Sequence, residues 1–343
     1  MLKLNVGISI ADQTIEDEMA KIQLAKKYGI DYVSVISIYE PMVKKLWETI
    51  AEEPLDGVRL CSVPLYESCI FGEPLLETMQ RHYDYGVRTF TVHITKRELF
   101  ERARASNFII NSRGGQFLWD IFEEGHENPQ LVQWEQILRF IHDHDCELML
   151  GTSLRPGAVE KDTMTALKAA TIQELYDACS LYDQAERAGI PTQIECFGHT
   201  AYSELSTYRS ILEQRPICTM GPLLTDSVNG YDELNAIIGF AYASQALNIQ
   251  TACMLSRKEH ISLPSVEDVE DECQKWRVAQ QVVGVALGTD RRAAHQEAEV
   301  LAVKERQRKQ CSAHVNIFGK IEMPEVCNVC GALCPLLKEG KGL

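Results

Sequence analysis

Three cysteines stand close together near the end of the 343-residue sequence, in the stretch MPEVCNVCGALCPLL. Cys327, Cys330 and Cys334 follow a C-x2-C-x3-C spacing, and the C-x2-C pair within it is common to zinc ribbons and iron–sulfur sites. A closed structural zinc site needs four ligands, and Cys311 or His314 would supply the fourth. A 4Fe–4S cluster held by three thiolates would instead leave one iron open to a small molecule, to which it passes an electron. The spacing alone leaves both alternatives open.

Polar residues of useful chemistry also follow the short apolar runs of the chain. Within these runs or just after them stand Asn5, Tyr66, His93, Arg155, Glu195, His199, Asp226, Glu259 and His260. Each of them has an ordinary structural alternative, such as a hydrogen-bonded loop histidine or an ion-paired arginine. His199 and His260 are candidates for a shared zinc ion, because two imidazoles leave coordination positions for water or substrate. In the segment NSRGG, Ser112, Arg113 and Gly114 suit a phosphate, which a guanidinium and backbone N–H groups bind well.

The alternation of apolar runs with amphipathic stretches predicts how these residues are positioned. Eight strand-like runs, from LKLNVGIS to TACMLS, are each followed by a helical pattern, which indicates a parallel sheet. We predict a closed (β/α)8 barrel over residues 1–304, with its active site at the carboxyl ends of the strands. A doubly wound open sheet is the alternative, but no glycine-rich phosphate fingerprint follows the first run. Residues 305–343 are predicted to form a linker and a cysteine-rich segment.

Composition limits the class of protein. The net charge of -15 argues against a nucleic-acid surface, and 45% hydrophobic residues are ample for a core. No apolar stretch is long enough for a transmembrane helix, and MLKLNVGISIADQT lacks the pattern of a signal peptide. We therefore expect a cytoplasmic protein that binds neither membrane nor nucleic acid. The scattered single cysteines are expected to be buried small hydrophobes.

A set of longer motifs points to a known family. The segments LNVGIS, SVPLY, FTVHI, NSRGG, LRPGA, IECFGH, MGPLLTD, GYD and KEHISLP occur in this order before the cysteine cluster. In this the sequence resembles the phosphomethylpyrimidine synthase family, the ThiC-type radical S-adenosylmethionine enzymes of thiamine biosynthesis. The resemblance implies a barrel with a C-terminal cluster-binding arm, exchanged between the subunits of a homodimer. It also implies an external electron donor and the rearrangement of aminoimidazole ribonucleotide to hydroxymethylpyrimidine phosphate, a carbon–carbon lyase reaction.

The resemblance assigns roles to particular residues. Cys327, Cys330 and Cys334 match the ligands of a 4Fe–4S cluster that binds S-adenosylmethionine. His199 and His260 match two ligands of zinc or another divalent metal. The matches to substrate contacts are Asn5, Tyr66, His93, Ser112, Arg113, Gly114, Arg155 and Glu195. Glu195 is also the expected general base, or the acceptor of a hydrogen bond from the azole amine.

The sequence departs from the family pattern at several of these places. The family spacing is C-x2-C-x4-C, one residue longer than here. Thr152 stands where the family has a substrate-contacting aspartate, Ser34 where it has methionine, and Cys218 where it has tyrosine. These changes favour a paralogue that acts on a related imidazole-type ribonucleotide. The alternatives are a 5-hydroxybenzimidazole synthase that makes a cobalamin lower ligand, a non-radical zinc-dependent barrel lyase with a structural zinc tail, and a non-catalytic nucleotide binder.

Overall fold

The structure is a computed structural model that describes most of the chain up to residue 301. It covers residues 2–10, 13–53, 55–104, 110, 112–159, 166–289, 291, 294–295, 297–299, 301 and 329. The cluster cysteines Cys327, Cys330 and Cys334 lie outside these residues, and so does nearly all of the segment 305–343. The assignments made to them therefore stay predictions.

Eight parallel strands form a closed barrel in which each strand pairs with its neighbours in sequence, and β8 closes on β1. The predicted (β/α)8 fold is thereby confirmed. The strands are β1 (Lys3–Ile8), β2 (Tyr32–Val35), β3 (Arg59–Ser62), β4 (Val87–His93), β5 (Glu147–Gly151), β6 (Thr192–His199), β7 (Ile217–Leu223) and β8 (Ile249–Cys253).

Helices follow every strand, and extra ones stand after β3 and β4. They are α1 (Ile15–Tyr28), α2 (Glu40–Glu52), α3 (Pro64–Phe71), α4 (Leu75–Asp84), α5 (Arg97–Arg104), α6 (Arg113–Glu123), α7 (Pro129–Val132), α8 (Trp134–Asp143), α9 (Ala166–Arg187), α10 (Leu205–Leu212), α11 (Asp232–Ala246) and α12 (Val266–Leu287).

The third strand is shorter than the sequence pattern predicts. The run VRLCSVPLY reads as a strand up to Tyr66, but β3 ends at Ser62 and Pro64 begins α3. Proline favours the first turn of a helix, because its fixed φ suits the helix and its missing N–H would have no partner there. Tyr66 is therefore a helical residue. The next residue, Glu67, accepts hydrogen bonds from Trp47 Nε1 at 2.6 Å and from Arg81 at 2.9 Å, which fixes α3 against its neighbours.

Polar and sulfur-containing side chains fill the barrel interior at successive levels. At the amino end, Glu147 accepts a hydrogen bond from the Tyr32 hydroxyl at 2.9 Å and forms an ion pair with Arg59 at 2.7 Å. Lys3 donates to the same tyrosine oxygen at 2.6 Å. Above this network lies a small cluster of buried residues, Met149, Cys218 and Cys253.

The chain divides into two compact units. One spans Leu2–Gln280 and contains the whole barrel, and the other takes in Met1 and Gln281–Leu343. The predicted boundary at residues 304 and 305 falls inside the second unit, where few residues are described, and it stays a prediction. Among the described residues, the structure contains no helix that is both long enough and apolar enough to span a bilayer.

Candidate active site at the carboxyl end of the barrel

A cavity of about 610 Å³ opens at the carboxyl ends of the strands. This is where parallel barrels bind their ligands, because the βα loops meet there. Seven of the residues that the resemblance matches to substrate contacts or metal ligands line it: Asn5, Tyr66, His93, Arg113, Arg155, Glu195 and His260. Ser112, Gly114 and His199 are not part of the lining but contact residues that are, as described below.

A buried ion pair joins two walls of the cavity. Arg155, which follows β5, donates from Nη1 to Oε1 of Glu195 on β6 at 2.7 Å. Its Nη2 lies 3.4 Å from the Ser112 hydroxyl. Burial opposes the charge of Arg155, but the carboxylate of Glu195 outweighs burial and raises the pKa of the guanidinium. Thr152 fixes the backbone at Glu195, since its Oγ1 donates a hydrogen bond to the Glu195 carbonyl at 3.1 Å.

Glu174 on α9 supports the loop that carries Arg155. Its carboxylate accepts backbone hydrogen bonds from Ser153 at 2.8 Å and Leu154 at 3.0 Å, and a further one from the Thr95 hydroxyl. Burial raises the pKa of Glu174 to about 7. Glu174 was not among the residues predicted from the sequence, because the burial of Glu174 and of its helix neighbours Thr171 and Leu175 is known only from the structure.

His93 is enclosed at the end of β4. Its Nδ1 lies 3.0 Å from the Ser153 hydroxyl, and the Tyr66 ring stacks on it at 6.1 Å between centroids. Burial, together with the nearby positive charge of Arg155, lowers the pKa of His93 to about 3. Gly114 packs directly against the ring, because a Cβ placed there would lie 2.0 Å from Nε2 of His93. His93 is therefore a neutral, fixed imidazole.

Arg113 begins α6 and reaches the cavity from above Tyr66. Its guanidinium lies 5.9 Å from the centre of the Tyr66 ring and donates a hydrogen bond to the Ile36 carbonyl. Ser112 caps the helix, since its hydroxyl accepts from the Gly115 N–H at 3.1 Å. Burial raises the pKa of Tyr66 to about 12, so its hydroxyl stays protonated at neutral pH. Together these contacts place a cation and a helix N-terminus at the same wall.

His199 and His260 converge as the sequence predicted. Their Nε2 atoms lie 3.2 Å apart. Nδ1 of His199 lies 2.6 Å from Asp226, and Nδ1 of His260 lies 3.1 Å from Asp232. Each aspartate is placed to accept a hydrogen bond from the Nδ1 atom of its histidine, which leaves the two Nε2 atoms facing each other. Two aspartates thus stand behind the pair: Asp226 was among the candidates named from the sequence, whereas Asp232 was not.

The direction of His199 depends on an irregular strand end. The register between β6 and β7 shifts between Phe197 and His199. Phe197 and Gly198 have φ values of 94° and 99°, in a region that L-residues other than glycine rarely adopt. Gly198 also packs tightly, because a Cβ there would lie 2.9 Å from the Pro156 carbonyl. Such a bulge turns the following side chain, here His199, away from the regular alternation of the strand.

Two further carboxylates form an acidic side of the cavity. Glu259 and Glu272 both line it, and Glu272 on α12 is 2% exposed. Burial raises the pKa of both groups, and for Glu272 the neighbouring carboxylate of Glu259 raises it further. Glu272 was missed by the sequence analysis, because it lies in a charged helical stretch that looks solvent-exposed. The cavity therefore has a cationic side at Arg113 and Arg155, together with two carboxyl groups whose raised pKa values favour the neutral form.

Comparison with known proteins identifies the family to which the chain belongs. The family model described as "Radical SAM ThiC family" matches residues 2–339. The chain belongs to the radical SAM ThiC family. A phosphomethylpyrimidine synthase from Ignicoccus hospitalis is 29% identical over 97% of this chain and 81% of its own length. Another from Thermotoga sp. strain RQ2 is 30% identical over 83% of this chain and 70% of its own. A dihydropteroate synthase structure from Thermus thermophilus matches at a TM-score of 0.45 and 10% identity, over 84% of this chain and 93% of that chain.

As a member of the radical SAM ThiC family, the protein is an enzyme of the thiamine biosynthesis type. The family uses an iron–sulfur cluster and S-adenosylmethionine. The three positions that depart from the family pattern lie near one another inside the barrel. The Ser34 hydroxyl donates to Asn5 Oδ1 at 3.0 Å, and Cys218 Sγ lies 3.5 Å from Cys253 Sγ. Thr152 is bonded to the backbone of Glu195, beside Cys218 in the sheet.

Replacing Gly114 by alanine should disrupt the packing around His93. The added methyl overlaps the imidazole, and overpacking of this kind costs about 1–3 kcal/mol of unfolding free energy. Urea denaturation measures the loss. Gln116→Ala, at an exposed position in the same helix, is the control and should change stability by less than about 0.5 kcal/mol. Equal stability of Gly114→Ala and the parent protein would contradict the described contact.

The neutral state of His93 should make the protein less stable in acid. The folded-state pKa of about 3 lies below the ordinary value of 6.5, so the unfolded chain binds a proton first. The stability is complete above pH 6.5 and falls as the pH drops towards 3, by up to about 1.4 kcal/mol per pH unit. Denaturation at pH 7 and pH 5 measures the slope, which should be shallower in His93→Gln. Nitrogen-15 NMR should find the His93 imidazole neutral at pH 5, and protonation there would disprove the assignment.

Proposed function

We propose that the protein is a radical S-adenosylmethionine enzyme that rearranges aminoimidazole ribonucleotide or a related imidazole-type ribonucleotide. The thiamine-type product would be hydroxymethylpyrimidine phosphate, and the reaction a carbon–carbon lyase reaction. The observation that carries this proposal is that seven residues matched to family substrate contacts or metal ligands line one cavity in a chain of this family. The cavity volume of about 610 Å³ lies within the range common for small-molecule sites.

Different residues of the cavity would bind different parts of such a nucleotide. Arg113, with the N–H groups at the start of α6, would bind the phosphate, since a guanidinium and a helix N-terminus both favour anions. His93 is neutral and fixed, so it would accept or donate one hydrogen bond without adding charge. Glu195 would accept a hydrogen bond from the azole amine or act as general base, while the hydrogen bond from Arg155 orients it. Asn5 and Tyr66 would complete the contacts from β1 and α3.

Cys327, Cys330 and Cys334 would hold the 4Fe–4S cluster. When bound, the cluster and S-adenosylmethionine supply a carbon radical that takes hydrogen from the ligand, with electrons from an external donor. A ligand that fills the cavity would displace water from the reacting groups. We further propose that the enzyme works in the cytoplasm as a homodimer.

The pair His199 and His260 fits a zinc ion or another divalent metal. Two imidazole nitrogens that are each about 2.0–2.1 Å from a tetrahedral zinc lie roughly 3.3 Å apart. The observed separation of their Nε2 atoms is 3.2 Å. The Nδ1 atoms are already engaged by Asp226 and Asp232, so neither Nε2 needs to carry a proton. The metal would orient an oxygen or nitrogen of the ligand at its open positions.

Anaerobic reconstitution tests the radical chemistry. The reconstituted protein should take up about four irons and four sulfides per chain and release 5'-deoxyadenosine when it is reduced with S-adenosylmethionine. Mass spectrometry of the nucleoside measures this, and Cys330→Ala should abolish it. Zinc bound tightly at the three cysteines, with no iron uptake, would instead support the non-radical zinc lyase.

Incubation of the same preparation with aminoimidazole ribonucleotide tests the substrate. Hydroxymethylpyrimidine phosphate as the product supports the thiamine role, and 5-hydroxybenzimidazole supports the cobalamin alternative. Cleavage of S-adenosylmethionine without consumption of this ribonucleotide would show that the changes at Ser34, Thr152 and Cys218 mark a different substrate. Ribonucleotide binding without cleavage of S-adenosylmethionine would indicate a binding protein.

Metal analysis tests the histidine pair. His199→Ala and His260→Ala should each lose one equivalent of zinc or cobalt, because each variant removes one of two protein ligands. Asp226→Asn should keep the site but weaken its affinity by about 10–100-fold, as loss of a carboxylate behind a histidine ligand usually does. His142→Ala, an exposed position on α8, is the control and should bind as the parent protein does. Unchanged metal content in both histidine variants would refute the site.

A further inference from the structure

Three metal-binding side chains meet on the inner wall of the barrel, below the rim where the histidine pair lies. They are Glu195 on β6, Cys218 on β7 and Cys253 on β8, and all three are buried. A carboxylate oxygen and the two sulfur atoms all lie within 4.8 Å of one another. The two sulfurs are 3.5 Å apart and belong to free thiols.

The sheet itself brings these side chains together. In the parallel register Glu195 is opposite Cys218, and Cys253 is opposite Met220, two residues further along β7. Side chains two residues apart in a strand point to the same face, so Cys218 and Cys253 both point to the interior. Cys196, next to Glu195 in β6, belongs to the opposite face by the same alternation.

We propose that Glu195, Cys218 and Cys253 form a second metal site, which binds a thiophilic divalent ion such as zinc or cadmium. Two thiolates that are each about 2.3 Å from a tetrahedral zinc lie roughly 3.8 Å apart, so the observed 3.5 Å needs only a small adjustment. Two sulfurs and a harder ligand suit zinc-type ions better than magnesium or calcium, which prefer oxygen alone. The carboxylate and two thiolates leave a zinc complex with one negative charge, which Arg155 balances.

Neighbouring side chains support the ligands in the way that metal sites require. Arg155 binds Oε1 of Glu195, and the structure gives Oε2 no hydrogen bond from any described residue. Asn5 Nδ2 donates to Cys253 Sγ at 3.4 Å, and Ser34 in turn donates to Asn5 Oδ1 at 3.0 Å. Such a chain of hydrogen bonds fixes the position of the Cys253 sulfur.

The fourth coordination position would face the ligand cavity. Glu195 and Cys253 both line the cavity, whereas Cys218 is not part of its lining. Three protein ligands with one open position are the pattern of zinc sites that bind a water molecule or a ligand atom. A ligand bound in the cavity would therefore contact this ion directly. The proposal does not depend on the radical reaction, and metal binding tests it separately.

Cadmium titration of the reduced full-length protein under anaerobic conditions tests the site. The titrations are done in a background protein that carries Cys327→Ser, Cys330→Ser and Cys334→Ser, because these changes remove the terminal thiols. Sulfur-to-cadmium charge transfer in the ultraviolet reports thiolate ligands only, so an ion at His199 and His260 stays silent. We expect one equivalent with this absorption, and cadmium-edge X-ray absorption should count two sulfurs.

Matched variants locate the signal. Cys218→Ser and Cys253→Ser should each weaken binding at least tenfold and halve the sulfur count, whereas Cys196→Ser should leave both unchanged. Glu195→Gln should keep two sulfurs and lower the affinity. Circular dichroism checks that every variant is folded, and Cys218→Ala replaces Cys218→Ser if that variant is not. A background protein without the absorption, or an absorption that survives in both Cys218 and Cys253 variants, would overturn the proposal.

Discussion

The buried ion pair of Arg155 and Glu195 is the interaction on which the arrangement of the cavity depends. It joins β5 to β6 at 2.7 Å, and breaking such a pair by removing one partner typically costs about 3–5 kcal/mol because a buried charge remains. Three neighbouring residues are positioned or influenced by this pair. Thr152 is bonded to the backbone of Glu195, Ser112 lies beside the guanidinium, and the positive charge of Arg155 helps to keep His93 neutral.

Two metal sites of different character would share this cavity. The histidine pair at the rim offers two nitrogens supported by aspartates, whereas the wall below offers two sulfurs and a carboxylate supported by Arg155 and Asn5. Ser34 and Cys218, at which the sequence departs from the family pattern, both belong to the second group.

Some features followed directly from residue patterns. The eight strands were predictable because alternating apolar runs and amphipathic stretches impose the β/α order, and a closed barrel then places the strand ends at one rim. The convergence of His199 and His260 followed from the same rule. The prediction that Tyr66 lies in a strand was wrong. The residues around it favour a strand, but Pro64 begins a helix. Glu174 and Glu272 were missed, because a carboxylate inside an amphipathic helix gives no sign in the sequence of which face it lies on.

The sequence by itself determined the (β/α)8 fold and the family, and it predicted candidate residues at the strand ends, because these depend on local periodicity and on motifs that are contiguous in the chain. Only the tertiary structure decided how those residues combine. Asp232 lies 28 positions before His260, and Cys218 lies 35 positions from Cys253, so their contacts arise from strand register and loop paths. The neutral state of His93 was likewise decided by burial, which depends on the packing of Gly114 and Tyr66 against its ring.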